Sequence, residues 1–149
     1  MKYAYSKIVF QEVPDEITLM YQMTGCGLNC PGCHSADLRN TSTGFELSIK
    51  TLQAHIDRNR EAITCIGFLG GEWYSGLLSA LEFVHMQGLK TCLYTGLEYS
   101  EVPKELFQHL DYLKYGPYRH ELGPLSNAKT NQVFLNLKEN KDLTYLFHR

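Results

Sequence analysis

Three of the chain's five cysteines fall in one short stretch, Thr24-Gly-Cys-Gly-Leu-Asn-Cys-Pro-Gly-Cys-His34, as Cys26, Cys30 and Cys33. The spacing is C-x3-C-x2-C. Three thiolates on so short a loop can converge on one metal centre. Gly25, Gly27 and Gly32 let the backbone wrap tightly, because glycine reaches positive φ without penalty. Pro31 removes a backbone donor and stiffens the bend. A set of three thiolates suits a four-iron cluster in which one iron is left without a protein ligand. That iron can take a substrate or cofactor, so the loop reads as a chemical site rather than a closed structural one.

Other chemistries fit the same residues. Cys26, Cys30, Cys33 and His34 supply four potential zinc ligands, although neighbouring Cys33 and His34 reach one ion awkwardly. Cys30-Pro-Gly-Cys-His34 matches the haem-attachment pattern C-x-x-C-H, which leaves Cys26 unused. A thioredoxin-like C-x-x-C opens a helix after a strand, whereas here a polar stretch follows. Cys65 and Cys92 lie in apolar, strand-like runs and read as small buried hydrophobes.

The elements that position this loop follow from periodicity. Lys7–Val13 reads as an edge strand, Pro14-Asp15 as a turn and Ile17–Met23 as a strand that delivers the cysteine loop. Residues 35–46 read as loop. Ser48 is a helix cap, and Ile49, Leu52 and Ile56 recur at helical spacing to about Asn59. Ile63–Leu69 is an apolar run suited to a strand buried on both faces, and it ends in Gly70-Gly71-Glu72. Leu77, Leu78, Leu81 and Val84 mark a second helix, with Gly88 beyond its end. Leu89–Tyr94 is another strand, ending in Thr95-Gly96. Ser100 with Pro103 opens a third helix through Leu106, Phe107 and Leu110. Tyr112–Tyr115 and Gln132–Leu137 read as further strands, with a polar loop over residues 117–130 between them.

This alternation predicts an α/β fold with a mostly parallel sheet. About five strands are too few for the eight-stranded barrel, so the expectation is an open, partial β/α barrel. No linker or repeat divides the 149 residues, and 44% hydrophobic content is enough for a core, so residues 1–149 read as a single domain. A net charge of −2 with no basic stripe speaks against nucleic-acid binding. No apolar run reaches membrane-spanning length. No secretory signal is visible at the start, so a cytoplasmic protein is expected.

The odd residues all follow strands. The cysteine loop, Gly70-Gly71-Glu72, Thr95-Gly96 and Gly116-Pro117 would meet at the carboxyl ends of the strands, where such sheets bind ligands. Gly70-Gly71-Glu72 alone is an ordinary strand-to-helix turn with an acidic residue near a helix start. His55, His85 and His109 lie on helical segments and read as packed or solvated. No tyrosine is assigned a catalytic role.

Taken together, Cys26-x3-Cys30-x2-Cys33 after the first strand and Gly70-Gly71-Glu72 after the second resemble the radical S-adenosylmethionine (SAM) superfamily. More narrowly, the small size, the Gly-Cys-x3-Cys-x-Gly-Cys form, Tyr94-Thr95-Gly96, Gly116-Pro117-Tyr118 and Asn131-Gln132 resemble the activating proteins of anaerobic ribonucleoside-triphosphate reductase. The resemblance implies a 4Fe-4S cluster on Cys26, Cys30 and Cys33, with SAM on its fourth iron. It implies that the Gly70, Gly71 and Glu72 backbone holds the methionine amino group. Gly32, Cys33 and His34 would lie beside the adenosyl moiety, and Thr95 and Gly96 along the ribose or methionine. No catalytic residue beyond cluster and SAM is implied. The implied partners are the large reductase subunit, whose glycine becomes a radical, and a reduced flavodoxin- or ferredoxin-type donor. Two departures stand out: Gly32 replaces the aromatic residue many superfamily members carry, as the small activating proteins also do, and Trp73 stands where a proline often follows the Gly-Gly-Glu turn. The 117–130 loop and Trp73 are expected near the partner's glycine loop. A radical-SAM enzyme acting on another glycyl-radical enzyme, a peptide or a small molecule, and a non-enzymatic iron–sulfur or zinc module, are the alternatives.

Overall fold

In the computed structural model, which describes residues 1–33, 36–40 and 42–149, the apolar runs become strands of one sheet. They are β1 (Lys2–Val9), β2 (Thr18–Met23), β3 (Phe45–Glu46), β4 (Cys65–Leu69), β5 (Lys90–Tyr94), β6 (Tyr112–Tyr115), β7 (Val133–Asn136) and β8 (Lys141–Asp142). Their order across the sheet is β3-β1-β2-β4-β5-β6-β7-β8. Only β2–β4, β4–β5 and β5–β6 pair in parallel. The other four pairings are antiparallel.

This overturns the expected partial β/α barrel with a mostly parallel sheet. The protein is built on a mixed eight-stranded sheet with two short α-helices, α1 (Ile49–Asn59) and α2 (Leu77–Met86), and 3-10 turns among the described residues. The reason lies in the connections. A parallel pair needs a crossover of a dozen or more residues, usually helical. Between β1 and β2 the chain turns sharply at Pro14-Asp15, with Asp15 at φ 63°, so β1 becomes the antiparallel partner of β2. β3 pairs with the other side of β1 at Lys2 and Tyr3, so among the described residues the Lys7–Val9 end keeps the expected edge position. After β6 no helix forms, and the chain returns antiparallel as β7.

Helix α1 starts where its cap predicts. The Thr51 N–H donates to Ser48 Oγ at 3.1 Å, an interaction that stabilises a helix by about 1 kcal/mol. The third helix does not form as an α-helix. Tyr99–Glu101 and Lys104–His109 are separate 3-10 turns, because Pro103 has no amide with which to continue a ladder begun at Ser100.

Pairing register divides the sheet into two faces. Tyr21, Phe68, Leu93 and Leu113 form one row across the parallel strands. They pack under Leu52 and Ile56 of α1 and Leu81 and Val84 of α2. Each such fully buried side chain contributes roughly 1.5–3 kcal/mol of transfer free energy. The row one residue earlier, Met20, Gly67, Cys92 and Tyr112, points the other way. It meets Val13, Phe134 and Leu143, with Phe147 of the final segment packed alongside. Cys65 and Cys92 are fully buried here, as expected. No helix among the described residues is long and apolar enough to cross a membrane.

Candidate iron–sulfur site

The next register row after Tyr21 is Gln22, Leu69, Tyr94 and Lys114. It is the last row before the four parallel strands end, and all four residues line one cavity of about 350 Å³. Cys26, Cys30 and Cys33 form part of the same wall, with Gly70, Glu72, Thr95 and Gly96. The three thiols are free and partly buried. The residues expected to do chemistry are thus gathered at the carboxyl ends of the parallel strands.

Backbone hydrogen bonds hold the strand ends together. Gly70 N–H donates to Tyr94 O and Thr95 N–H to Lys114 O, both at 2.8 Å. The cysteine loop is anchored at both ends: Gly25 N–H donates to Leu38 O at 2.7 Å, and Arg39 Nη2 reaches Cys30 O at 3.4 Å. Gly25 and Gly32 use positive φ, 92° and 71°, while Gly27 does not and faces open space.

Two of the expected residues, Gly71 and Gly32, stand off the cavity wall. Gly71 is absent from the cavity wall and lies against the Met23 side chain. Gly32 likewise stands off the wall, facing the Tyr118 ring, with an added Cβ 3.6 Å from it. His34 lies outside the described residues. The Thr95 hydroxyl donates to Glu72 Oε1 at 2.7 Å. That bond ties the Thr95-Gly96 turn to the Gly-Gly-Glu turn.

The polar groups of the wall are incompletely paired. Glu72 Oε2 is buried with no hydrogen-bond partner among the described residues. Burial raises the Glu72 carboxyl above its ordinary range, against the Thr95 hydrogen bond and the Lys114 charge. Lys114 was not foreseen from the sequence. Its ammonium is buried, and among the described residues its hydrogen-bond contact is with Gly116 O at 3.4 Å. Burial lowers it to about 8, although Cys30 and Glu72 act to hold the proton. Burial also pushes the Cys26 thiol up; a bond with the Leu28 backbone opposes this, and charge on Glu72, Cys30 and Cys33 adds to it. Three thiols, a carboxylate oxygen with no donor among the described residues and a buried ammonium line one space. The donor set therefore fits an iron–sulfur group accompanied by a polar ligand.

No three His, Cys, Asp or Glu side chains among the described residues are collected for a single ion. A four-iron cluster does not need that arrangement, because each thiolate binds a different iron. The family model described as a 4Fe-4S single cluster domain matches residues 17–135. The chain belongs to the 4Fe-4S single cluster domain family. The match runs from β2 through β7 and contains the cysteine loop and every turn that lines the cavity. As a member of this family, the chain is an iron–sulfur protein with a 4Fe-4S cofactor. No curated protein matches the chain.

Lys114 yields a pH prediction for the cluster-free protein. Its folded-state value, about 8, lies below the ordinary 10.5. Between these values the unfolded chain binds more protons than the folded one, so this group makes stability rise with pH. Buried Cys65, raised to about 12, acts in the opposite direction, so the Lys114 part must be read by difference. Thermal unfolding of wild type and Lys114→Met should show the wild type gaining on the variant from pH 8 to 10.5. A constant gap would contradict the buried ammonium.

Proposed function

We propose that this iron–sulfur protein is a radical-SAM activase that generates a glycyl radical on the large subunit of an anaerobic ribonucleoside-triphosphate reductase. The observation that carries the reading is the single cavity on which the three thiols, Gly70, Glu72, Thr95 and Gly96 converge. Cys26, Cys30 and Cys33 would hold the cluster, with SAM beside it. Bound there, the cluster and SAM would supply one-electron reductive cleavage of the sulfonium and hydrogen-atom abstraction from carbon.

The chain's own residues bind and orient. The Glu72 Oε2 atom that lacks a donor accepts from the methionine ammonium, beside the Gly70 backbone. Thr95 fixes the Glu72 carboxylate through its hydroxyl. Gly96 has no side chain where Leu28 and Cys30 approach, which keeps the thiol side of the cavity open. A reduced flavodoxin- or ferredoxin-type protein supplies the electron. The 117–130 loop adjoins the cavity through Tyr118 and receives the partner's glycine loop.

The test is anaerobic incubation of reconstituted protein, SAM, reductant and the large reductase subunit. A glycyl-radical doublet in the electron paramagnetic resonance (EPR) spectrum, lost when the subunit's radical glycine is replaced by alanine, is the expected result. SAM cleavage without a radical on that subunit would move the assignment to another acceptor.

A further inference from the structure

The carbonyl of Thr24 stands two residues before Cys26. It accepts from two aromatic donors that lie 49 and 50 residues further along the chain. Trp73 Nε1–H donates at 3.1 Å and Tyr74 Oη–H at 2.9 Å. Both belong to the turn that follows Gly70-Gly71-Glu72. A carbonyl has two lone pairs, so the two bonds are compatible. Thr24 is fully buried, and the rest of it is fixed as well. Its N–H donates to Lys2 O at 3.1 Å and its hydroxyl to Thr43 O at 2.9 Å. The Trp73 ring covers Gly70 so closely that a Cβ there would come within 2.5 Å of it. Trp73 also lines the cavity that Cys26 lines.

We propose that Trp73 and Tyr74 are positioning residues for the cluster thiolates: their ring donors meet on the Thr24 carbonyl and fix the point at which the cysteine loop leaves β2. The inference rests on the reading that Cys26, Cys30 and Cys33 hold the cluster. A loop rich in glycine has many conformations to lose on binding iron. Fixing its first residue from the Gly-Gly-Glu turn shortens the free span and sets the thiols at a defined distance from that turn. Trp73 thereby does work in this chain that a proline at the same position could not do, since proline brings no side-chain donor.

The test uses the reconstituted holoprotein. Loss of the cluster's visible absorption to a ferrous chelator is followed under anaerobic conditions. Trp73→Phe removes the donor together with the outer part of the indole, and Tyr74→Phe, the cleaner change, removes only the hydroxyl. A net hydrogen bond contributes about 0.5–1.5 kcal/mol, so each single change should speed release roughly twofold to thirteenfold. The double variant should exceed the product of the two, because removing the second donor leaves a buried carbonyl bare. Ile56→Val, in the core of α1, is the control for general loss of stability. If the control speeds release as much as the single changes, or if the double variant releases iron at the wild-type rate, the clamp is refuted. Should the double variant not fold, Tyr74→Phe against the control decides alone. A cluster that survives alanine at all three cysteines would overturn the underlying reading together with the clamp. A cysteine-dependent cluster insensitive to Trp73 and Tyr74 would overturn the clamp only.

Discussion

Replacing Cys26, Cys30 or Cys33 by alanine is expected to leave a folded chain that no longer retains iron. The three side chains sit on a loop beyond the end of β2 and are only partly buried, so their truncation removes little from the core. Their loss falls instead on the metal. Changes to groups that merely support a ligand cost about 10- to 100-fold in metal affinity, and deleting one of three ligands costs more. Iron and sulfide content after reconstitution and desalting should therefore fall to near background in each variant, with an unfolding temperature close to that of the cluster-free wild type. Cys65→Ala and Cys92→Ala should behave in the opposite way. Both residues are fully buried between sheet and final segment, so alanine there costs about 1 kcal/mol of stability and leaves iron content unchanged. If iron followed Cys65 or Cys92 instead, the loop would not be the metal site.

Gly70→Ala is expected to damage both the fold and the cluster site. Gly70 has φ +84°, and an added Cβ would lie 2.5 Å from Trp73 Cη2. Backbone strain of this kind costs on the order of 1–3 kcal/mol, and forced overpacking typically another 1–3. A loss of about 3 kcal/mol is a large part of the 5–15 that hold a typical domain together, and it should lower the unfolding temperature by roughly 10 °C. The indole cannot move aside without leaving Thr24 O, so cluster retention should fall with stability. Gly71→Ala separates the two causes. Its φ is +108°, yet its Cβ would meet only the flexible Met23 side chain, at 3.2 Å. Calorimetry on the cluster-free proteins should rank Gly70→Ala well below Gly71→Ala. Equal losses would mean that backbone strain alone matters and the Trp73 contact does not.

The lining of the cavity was more legible in the sequence than the sheet that carries it. Cys26, Cys30, Cys33, Glu72 and Thr95 could be read because each follows an apolar run at once, and a strand end fixes where its next residues lie. Ser48 and the Ile49–Leu52–Ile56 spacing placed α1 to the residue. The sheet's direction was harder, because alternation marks a strand without saying which way its neighbour runs. That depends on the connections. Pro14-Asp15 was visible as a turn, yet its consequence, an antiparallel β1–β2 pair, appears only when the strands are assembled. The polar 117–130 stretch conceals the reversal at β7 in the same way. Lys114 was missed because one charge in Tyr-Leu-Lys-Tyr reads as a solvated position. Only the register Gln22–Leu69–Tyr94–Lys114 turns it inward. The Thr24 clamp was hidden for a related reason, since its donors lie 49 and 50 residues further along the chain.

The proposed function requires that three thiolates on one loop hold a cluster that cleaves SAM in the cavity beside them. Its most direct test is to reconstitute the protein anaerobically with iron and sulfide, add SAM and a strong one-electron reductant, and quantify 5′-deoxyadenosine and methionine. The account predicts both products in equal amounts from the wild type and neither from the Cys26→Ala, Cys30→Ala or Cys33→Ala variants. A fully loaded, reducible cluster that leaves SAM intact would contradict it and leave an iron–sulfur protein whose cavity serves another ligand.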